Sequence, residues 1–333
     1  MPRRARTRFG EKSLGRVAAL ALLLLAGCAA PGRAQDPPVV HARPITLERE
    51  RPDRRELGRL RYEAGFVLAS ADPRFGGLSG IWLSADGERM IAASDRGTLW
   101  SAELLHDGED RLTGVEGWRA HDPGRLPGDP ARGDAEALAG DGAGGLVVAY
   151  EGRHRLRRLP LDDPAGPPID IPVPDALAAR PGNTGIEALA GLTDSSLLAL
   201  SEGLSAGGGD LLAWRIAADR IETLAYAPAT GFAPTGAVRL DEAIYVIERR
   251  FSLLGGFAGR IVWLPAQRIA PGARLEGEEL ARLEPPVVTD NYEAIAARRA
   301  GDGRTLLYVL SDDNFHPLQR TLLLQFSVPA PSG

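Results

Sequence analysis

The sequence predicts an all-β chain folded as a β-propeller, and three observations predict it. A short apolar phrase that opens on a polar residue recurs five times along the chain. Each copy is followed by a turn and a second apolar run that closes on a polar or charged cluster. These runs are too short for helices and rich in strand-forming residues. A period of about 50 residues with several short strands in each period is what one blade per repeat produces.

The five phrases are "GLSGIWLS" (78–85), "DAEALAGD" (134–141), "GIEALAGL" (185–192), "PTGAVRLD" (234–241) and "NYEAIAAR" (291–298). With Ser79, Glu136, Glu187, Thr235 and Glu293 taken as equivalent, the intervals are 57, 51, 48 and 58 residues. The second runs are "RMIAASDRG", "GLVVAYEG", "SLLALSEG", "AIYVIERR" and "TLLYVLSDDN". Residues that face each other across an antiparallel hairpin are symmetric about its turn. By that test Ser79 faces Asp95, Glu136 faces Glu151, Glu187 faces Glu202, Thr235 faces Glu248 and Glu293 faces Asp312, each pair centred on a turn sequence such as "DGAGG" (141–145) or "LTDSS" (192–196). The polar opener of each first strand then sits beside the polar closer of the second, at one end of the blade. With the first strand innermost, these residues ring one mouth of the central channel.

Third and fourth strands are expected in "TLWSAEL" (98–104), "HRLRRLPL" (154–161), "LLAWRIA" (211–217) with "IETLAYA" (221–227), "RIVWLPA" (260–266) and "RTLLLQFSV" (320–328). The N-terminal run "LRYEAGFVLAS" (60–70) has no inner phrase before it, so it is expected to pair beside the C-terminal blade and close the ring. Five phrases give five blades, with room for a sixth in "LTGVEGWRAHDPGRLPGD" (112–129).

The N-terminus is a separate object. Six basic residues precede the apolar run "VAALALLLLAGC", which is too short for a permanent membrane span and reads as a signal peptide over 1–27. Leu25-Ala26-Gly27-Cys28 resembles a lipobox, which makes Cys28, the one cysteine of the chain, the lipidation site. Ala29 after it favours the outer membrane, facing the periplasm. Residues 28–56 are rich in Pro and charge and are read as a tether, with the propeller over 57–330. Without residues 1–27 the chain loses six basic and one acidic residue and carries a net charge of −10. That acidity argues against nucleic acid. Lys12 is the sole lysine, so Schiff-base and Walker-type chemistry are excluded from the mature chain. A monomer is expected.

Acids placed side by side need a partner, because like charges across a strand pair destabilise it. Arginines that could neutralise them, or hold an anionic ligand, are Arg96, Arg153, Arg249, Arg250 and Arg320, with Asn314 nearby. The other solution is a hard cation held by the carboxylates of Asp95, Glu136, Glu151, Glu187, Glu202, Glu248, Glu293 and Asp312. An internal ion-pair ring with no ligand is the third. Glu187, Glu293 and His316 are the candidates for acid-base work, while "GLSAG" (203–207) lacks the strand-turn-helix setting of a nucleophile elbow. No histidine pair has metal-ligand spacing, which argues against zinc.

Residues 60–328 resemble the phytase-like family described by esterase-like activity, a propeller group of exported bacterial proteins. The phrases that carry the resemblance are "FGGLSGIWLSADGERMIAASDRG", "NTGIEALA", "YVIERRFS" and "DNYEAIAARRAGDGRTLLYVLSDDNFHPLQRTLLLQF". The resemblance implies phosphoester or ester hydrolysis and, by analogy with phytase propellers, calcium in an acidic channel. Thr235 departs from it, standing where an acid is expected. Two functions follow as expectations: a metal-assisted phosphoric-ester hydrolase acting on a small anionic ligand, or a non-catalytic ligand-binding or scaffold propeller of the cell envelope.

Overall fold

The structure, a computed structural model, describes residues 38–124, 133–178, 182 and 184–329. The signal segment, Cys28 and the chain to residue 37 lie outside the described residues, as does 125–132. Five sheets succeed one another along the chain, and the expected propeller has five blades.

The first blade holds Leu78–Leu83, Arg89–Ser94, Leu99–His106 and Leu112–His121, from channel to rim. Its outermost strand takes up residues 112–121 of the stretch where a sixth blade was looked for, and 125–129 of that stretch lie outside the described residues. The second blade holds Ala135–Gly140, Gly145–Tyr150, Arg155–Pro160 and Ile169–Ile171. The third holds Ile186–Gly191, Leu197–Gly207, Asp210–Ile216 and Ile221–Tyr226. A short strand, Arg274–Leu275, lies parallel to its outer edge, lent by the excursion between the last two strands of the fourth blade. That fourth blade holds Ala233–Leu240, Ala243–Ser252, Gly256–Pro265 and Glu278–Leu283.

The fifth blade closes the ring as expected. Asn291–Arg299, Thr305–Asp312 and Thr321–Val328 come from the C-terminus, and Leu60–Ser70 pairs antiparallel with Thr321–Val328. Part of the stretch read as a tether, from Val40 onward, is built into the propeller. Val40–Pro44 adds a further strand on Leu60–Ser70, and Leu47 is fully buried in the packing between the fourth and fifth blades. "VHARP" was not legible as a strand because it is an edge strand with charge and proline, the composition that protects such edges.

Five apolar clusters, one between each pair of neighbouring blades, make the core. The inner strands approach so closely that small residues are required. A Cβ on Gly80 would stand 2.6 Å from the Leu138 Cβ, and one on Gly236 would stand 2.9 Å from the Ala294 Cα.

Candidate functional site

Every inner strand carries a β-bulge at the position singled out in the sequence. Leu78 pairs with Ser94 and Gly80 with Ala93, which leaves Ser79 as the extra residue. The same interruption falls at Glu136, Glu187, Thr235 and Glu293. The expected register is therefore corrected: none of these five residues has a direct partner across the hairpin. A bulge inserts an unpaired residue and re-aims its side chain. This explains why a polar residue can stand inside an apolar strand, and why each is followed by Gly or Ala where blades crowd the axis.

The bulges also settle which residues of the second strands belong to the mouth. In each blade the residue before the bulge pairs with Ser94, Tyr150, Ser201, Glu248 or Ser311. The next residue along is Asp95, Glu151, Glu202, Arg249 or Asp312. Glu248, expected among the metal ligands, is thus one position out of step, and one residue of shift turns a side chain to the opposite face. It is fully buried, accepts from the Tyr226 hydroxyl at 2.7 Å and is paired with Arg260 at 2.8 Å. Arg249 takes the acid's place in the ring.

Two stacked rings result. The inner one is Ser79, Glu136, Glu187, Thr235 and Glu293; the outer one is Asp95, Glu151, Glu202, Arg249 and Asp312. The two hydroxyls cross-link blades: Ser79 Oγ donates to the Ala135 carbonyl, and Thr235 Oγ1 donates to the Tyr292 carbonyl at 2.8 Å. Arg249 bridges the blades on either side of its own. It donates to Asn291 Oδ1 at 2.7 Å and lies 3.5 Å from Glu202 and 3.4 Å from Glu293.

Seven carboxyl groups share these rings, and burial pushes all of them upward. Glu136 is lifted to about 9 by burial and then by Asp134, Glu151, Glu293 and Asp95. Glu293 rises to about 8 by burial, against the opposing pull of Arg249. Burial takes Glu151 and Asp312 to about 7 and Asp95 to about 6. Glu187 is raised well above the usual carboxylate range by burial and by Glu136 and Glu202, and Glu202 is raised by burial although Arg249 opposes it. Glu151 and Glu187 act on each other as well, the Glu151 charge adding to the upward push on Glu187.

Three buried oxygens in the rings have no hydrogen-bond partner: Asp95 Oδ1, Glu151 Oε1 and Glu293 Oε2. Unpartnered carboxylate oxygens are donors of the kind a hard cation takes, so the residues fit calcium in their chemistry. Among the described residues no three acidic, His or Cys groups already converge on one point. A shell of fewer side chains completed by water is the form the donor set fits.

The remaining sequence candidates lie around this centre. Arg96 is exposed and its guanidinium stacks on the Phe315 ring at 3.2 Å from the centroid, beside Asp95. Arg153 is exposed, two residues beyond Glu151. Arg320 is paired with Asp290 at 2.9 Å, and Arg250 with Glu284 at 3.2 Å, outside the rings. The exposed Asn314 donates from its side chain to Gln319 at 2.8 Å, and its backbone N–H donates to Asp312 Oδ1 at 2.7 Å. His316 is exposed, and its Nδ1 accepts from the Leu318 backbone within its own loop. Sequence reasoning missed Asn291, which orients Arg249, and the acids Asp134 and Asp313, which repel Glu136 and Asp95. Both were visible in the sequence beside ring residues, Asp313 next to Asp312 and Asp134 two positions before Glu136.

Below the inner ring the channel narrows to a space of about 10 Å³ between Gly80, Leu138, Leu189 and Gly236, room for roughly one water. The opposite mouth opens into a cavity of about 400 Å³ lined by Trp82, Asp141, Thr193, Ser195 and Arg239. Its charges are already matched, Asp141 by Arg158 and Arg239 by Glu242. The unpartnered charge of the axis therefore lies at the acidic mouth.

A family model described as "Phytase-like: Esterase-like activity of phytase" matches residues 73–315. No curated protein matches the chain in sequence. Among solved structures the chain is similar to a virginiamycin B lyase from Staphylococcus aureus (TM-score 0.42, 8% identity, 87% of this chain and 100% of that one). It is similar also to a luciferin-regenerating enzyme (TM-score 0.39, 11% identity, 77% and 93%). The β-propeller domain of Cps50 (Swd1) from Myceliophteria thermophila is a third (TM-score 0.38, 13% identity, 87% and 100%).

Proposed function

The chain belongs to the phytase-like family, and from that premise we propose that its acidic mouth is the site of a phosphoric-ester hydrolase assisted by a divalent cation, calcium first among them. The observation that carries the reading is the pair of rings, in which seven carboxyls surround one guanidinium and three buried oxygens lack a partner. Such an assembly is stable only if protons or a cation neutralise it.

Glu151 and Glu187 would hold the cation with water completing its shell, and Glu293, Asp95 and Asp312 would surround it. When bound, the cation would supply a Lewis acid for a phosphoryl oxygen and a water of lowered pKa. Arg249 would hold a phosphate oxygen through its planar fork, oriented by Asn291. Asp312, near 7, has the proton affinity suited to exchanging a proton with a leaving group at neutral pH.

The lipobox-like end of the leader supports an exported lipoprotein held by Cys28 at the outer membrane. Cys28→Ala should then be recovered without fatty acid, and labelled fatty acid in that variant would contradict the anchor. Turnover of a phosphomonoester panel with calcium and with chelator tests the chemistry. Calcium-dependent release of phosphate, lost in Arg249→Met and Glu187→Gln, is expected. Turnover that ignores both calcium and these substitutions would overturn it, and a ligand bound without turnover would favour the non-catalytic propeller.

A further inference from the structure

Seven large apolar side chains are conspicuously exposed among the described residues, and five of them belong to one face of the propeller. Phe251, Leu253 and Leu254 form the tip of the hairpin that joins the second and third strands of the fourth blade. That second strand passes the mouth residue Arg249 before the tip, so the hairpin projects from the mouth face. Leu318 lies in the corresponding loop of the fifth blade, between Asp312 and Thr321. Val39 precedes Val40, whose partner Ser70 lies just beyond the residue paired with Thr321. Leu253 and Leu254 are 94% and 104% exposed, and so bury nothing in the folded chain.

The hairpin is layered. Arg250 stands at its base, the cross-strand pair Phe251 and Phe257 sits above with ring centroids 4.9 Å apart, and the two leucines cap the turn. The exposed Arg43 and Arg49 line a groove of about 930 Å³ beside the root of the Leu318 loop, with Arg320, itself paired with Asp290, at its edge. Arg250 is paired with Glu284, and the aromatic and aliphatic layers above it follow in the order that an interface-inserting finger needs. A protein partner needs a continuous face of about 800 Å², which separate apolar fingers do not offer, whereas a bilayer admits each finger independently.

We propose that the mouth face docks on a lipid bilayer with anionic headgroups, through the Leu253–Leu254 hairpin tip, Leu318 and the arginines of the adjoining groove. This contact is independent of any lipid on Cys28 and of the proposed hydrolase. It would turn the acidic mouth toward the headgroup layer.

Because Cys28 is the only cysteine, full-length chain carrying Cys28→Ala accepts single reporters at Leu254→Cys, Leu318→Cys and, as control, the exposed Ile169→Cys on the side of the second blade. Each is labelled with an environment-sensitive fluorophore and mixed with vesicles of phosphatidylcholine and phosphatidylglycerol. A blue shift at 254 and 318 with none at 169 is expected. Leu253→Asp with Leu254→Asp should lose about tenfold or more in vesicle partition at an unchanged unfolding midpoint. No shift at 254 on vesicles would overturn the proposal. A shift that grows with protein concentration in the absence of lipid would overturn it in favour of a second copy as the occupant. Equal binding to phosphatidylcholine alone would overturn the role given to the arginines.

Discussion

In chelator the protein should become less stable as pH rises from 5 to 8, opposite to the usual effect of paired carboxylates. The sign follows from the direction of the shifts. A group whose folded pKa lies above its unfolded value stabilises the fold fully below the unfolded value, and that contribution is lost as pH climbs through the folded one. For Glu136 these values are 4.5 and about 9. Each proton held by the folded chain and not by the unfolded one changes stability by about 1.4 kcal/mol per pH unit. Retained from pH 5 to pH 8, that one proton amounts to about 4 kcal/mol. Glu136 is partly exposed and shares its proton with its neighbours, so about 2 kcal/mol is the working figure. The window avoids acids of the opposite kind: Glu48, held at about 2 by hydrogen bonds from Arg51 and Arg54, is ionised throughout. Glu136→Gln keeps the shape and removes the titration. In urea melts with chelator it should match the parent at pH 5 and exceed it by about 2 kcal/mol at pH 8. Stability of the parent that rises between pH 5 and 8, or a variant that gains nothing at pH 8, would refute the reasoning.

Other expectations follow from the same geometry. Arg260→Met leaves Glu248 buried without its cation and should cost about 3–5 kcal/mol in urea melts while phosphoester turnover per folded molecule is unchanged; a loss of turnover would return Glu248 to the site. Truncation after Asn314 removes Leu322, Leu323, Leu324 and Phe326, all fully buried, at roughly 1.5–3 kcal/mol each, which is comparable to the stability of a whole domain. A truncated chain that still melts cooperatively would contradict closure by the N-terminal strand.

The repeat was legible because blade geometry imposes it on the sequence: each inner strand must be small and apolar at the axis, and each hairpin must turn back at a fixed distance. Closure was legible for a related reason, since "LRYEAGFVLAS" had strand pattern and no hairpin partner of its own. The site was legible in membership more than in register. Symmetry about a turn assumes an uninterrupted ladder, and the bulges at Glu136, Glu187 and Glu293 break that assumption without changing the alternation of apolar residues around them. In four blades the acid still fell at the mouth. In the fourth, "IERR" offered an acid and an arginine in succession, and only the observed pairing of Pro234 with Glu248 shows that Arg249 is the ring member. Asn291 was missed because an amide opening a strand carries no charge signal, although it fixes the guanidinium.

The central claim is that a divalent cation completes the acidic mouth, and calcium titration calorimetry at pH 7 in buffers of different ionisation enthalpy tests it most directly. Carboxyls pushed up to about 7, 8 and 9 carry protons at that pH, and a cation must displace them. The account predicts saturable binding with net proton release that grows smaller in Glu187→Gln and in Glu293→Gln, and a raised melting temperature in calcium. Calcium that neither binds nor releases protons, with a melting temperature equal in calcium and chelator, would contradict it and leave the rings as a proton-held structural girdle.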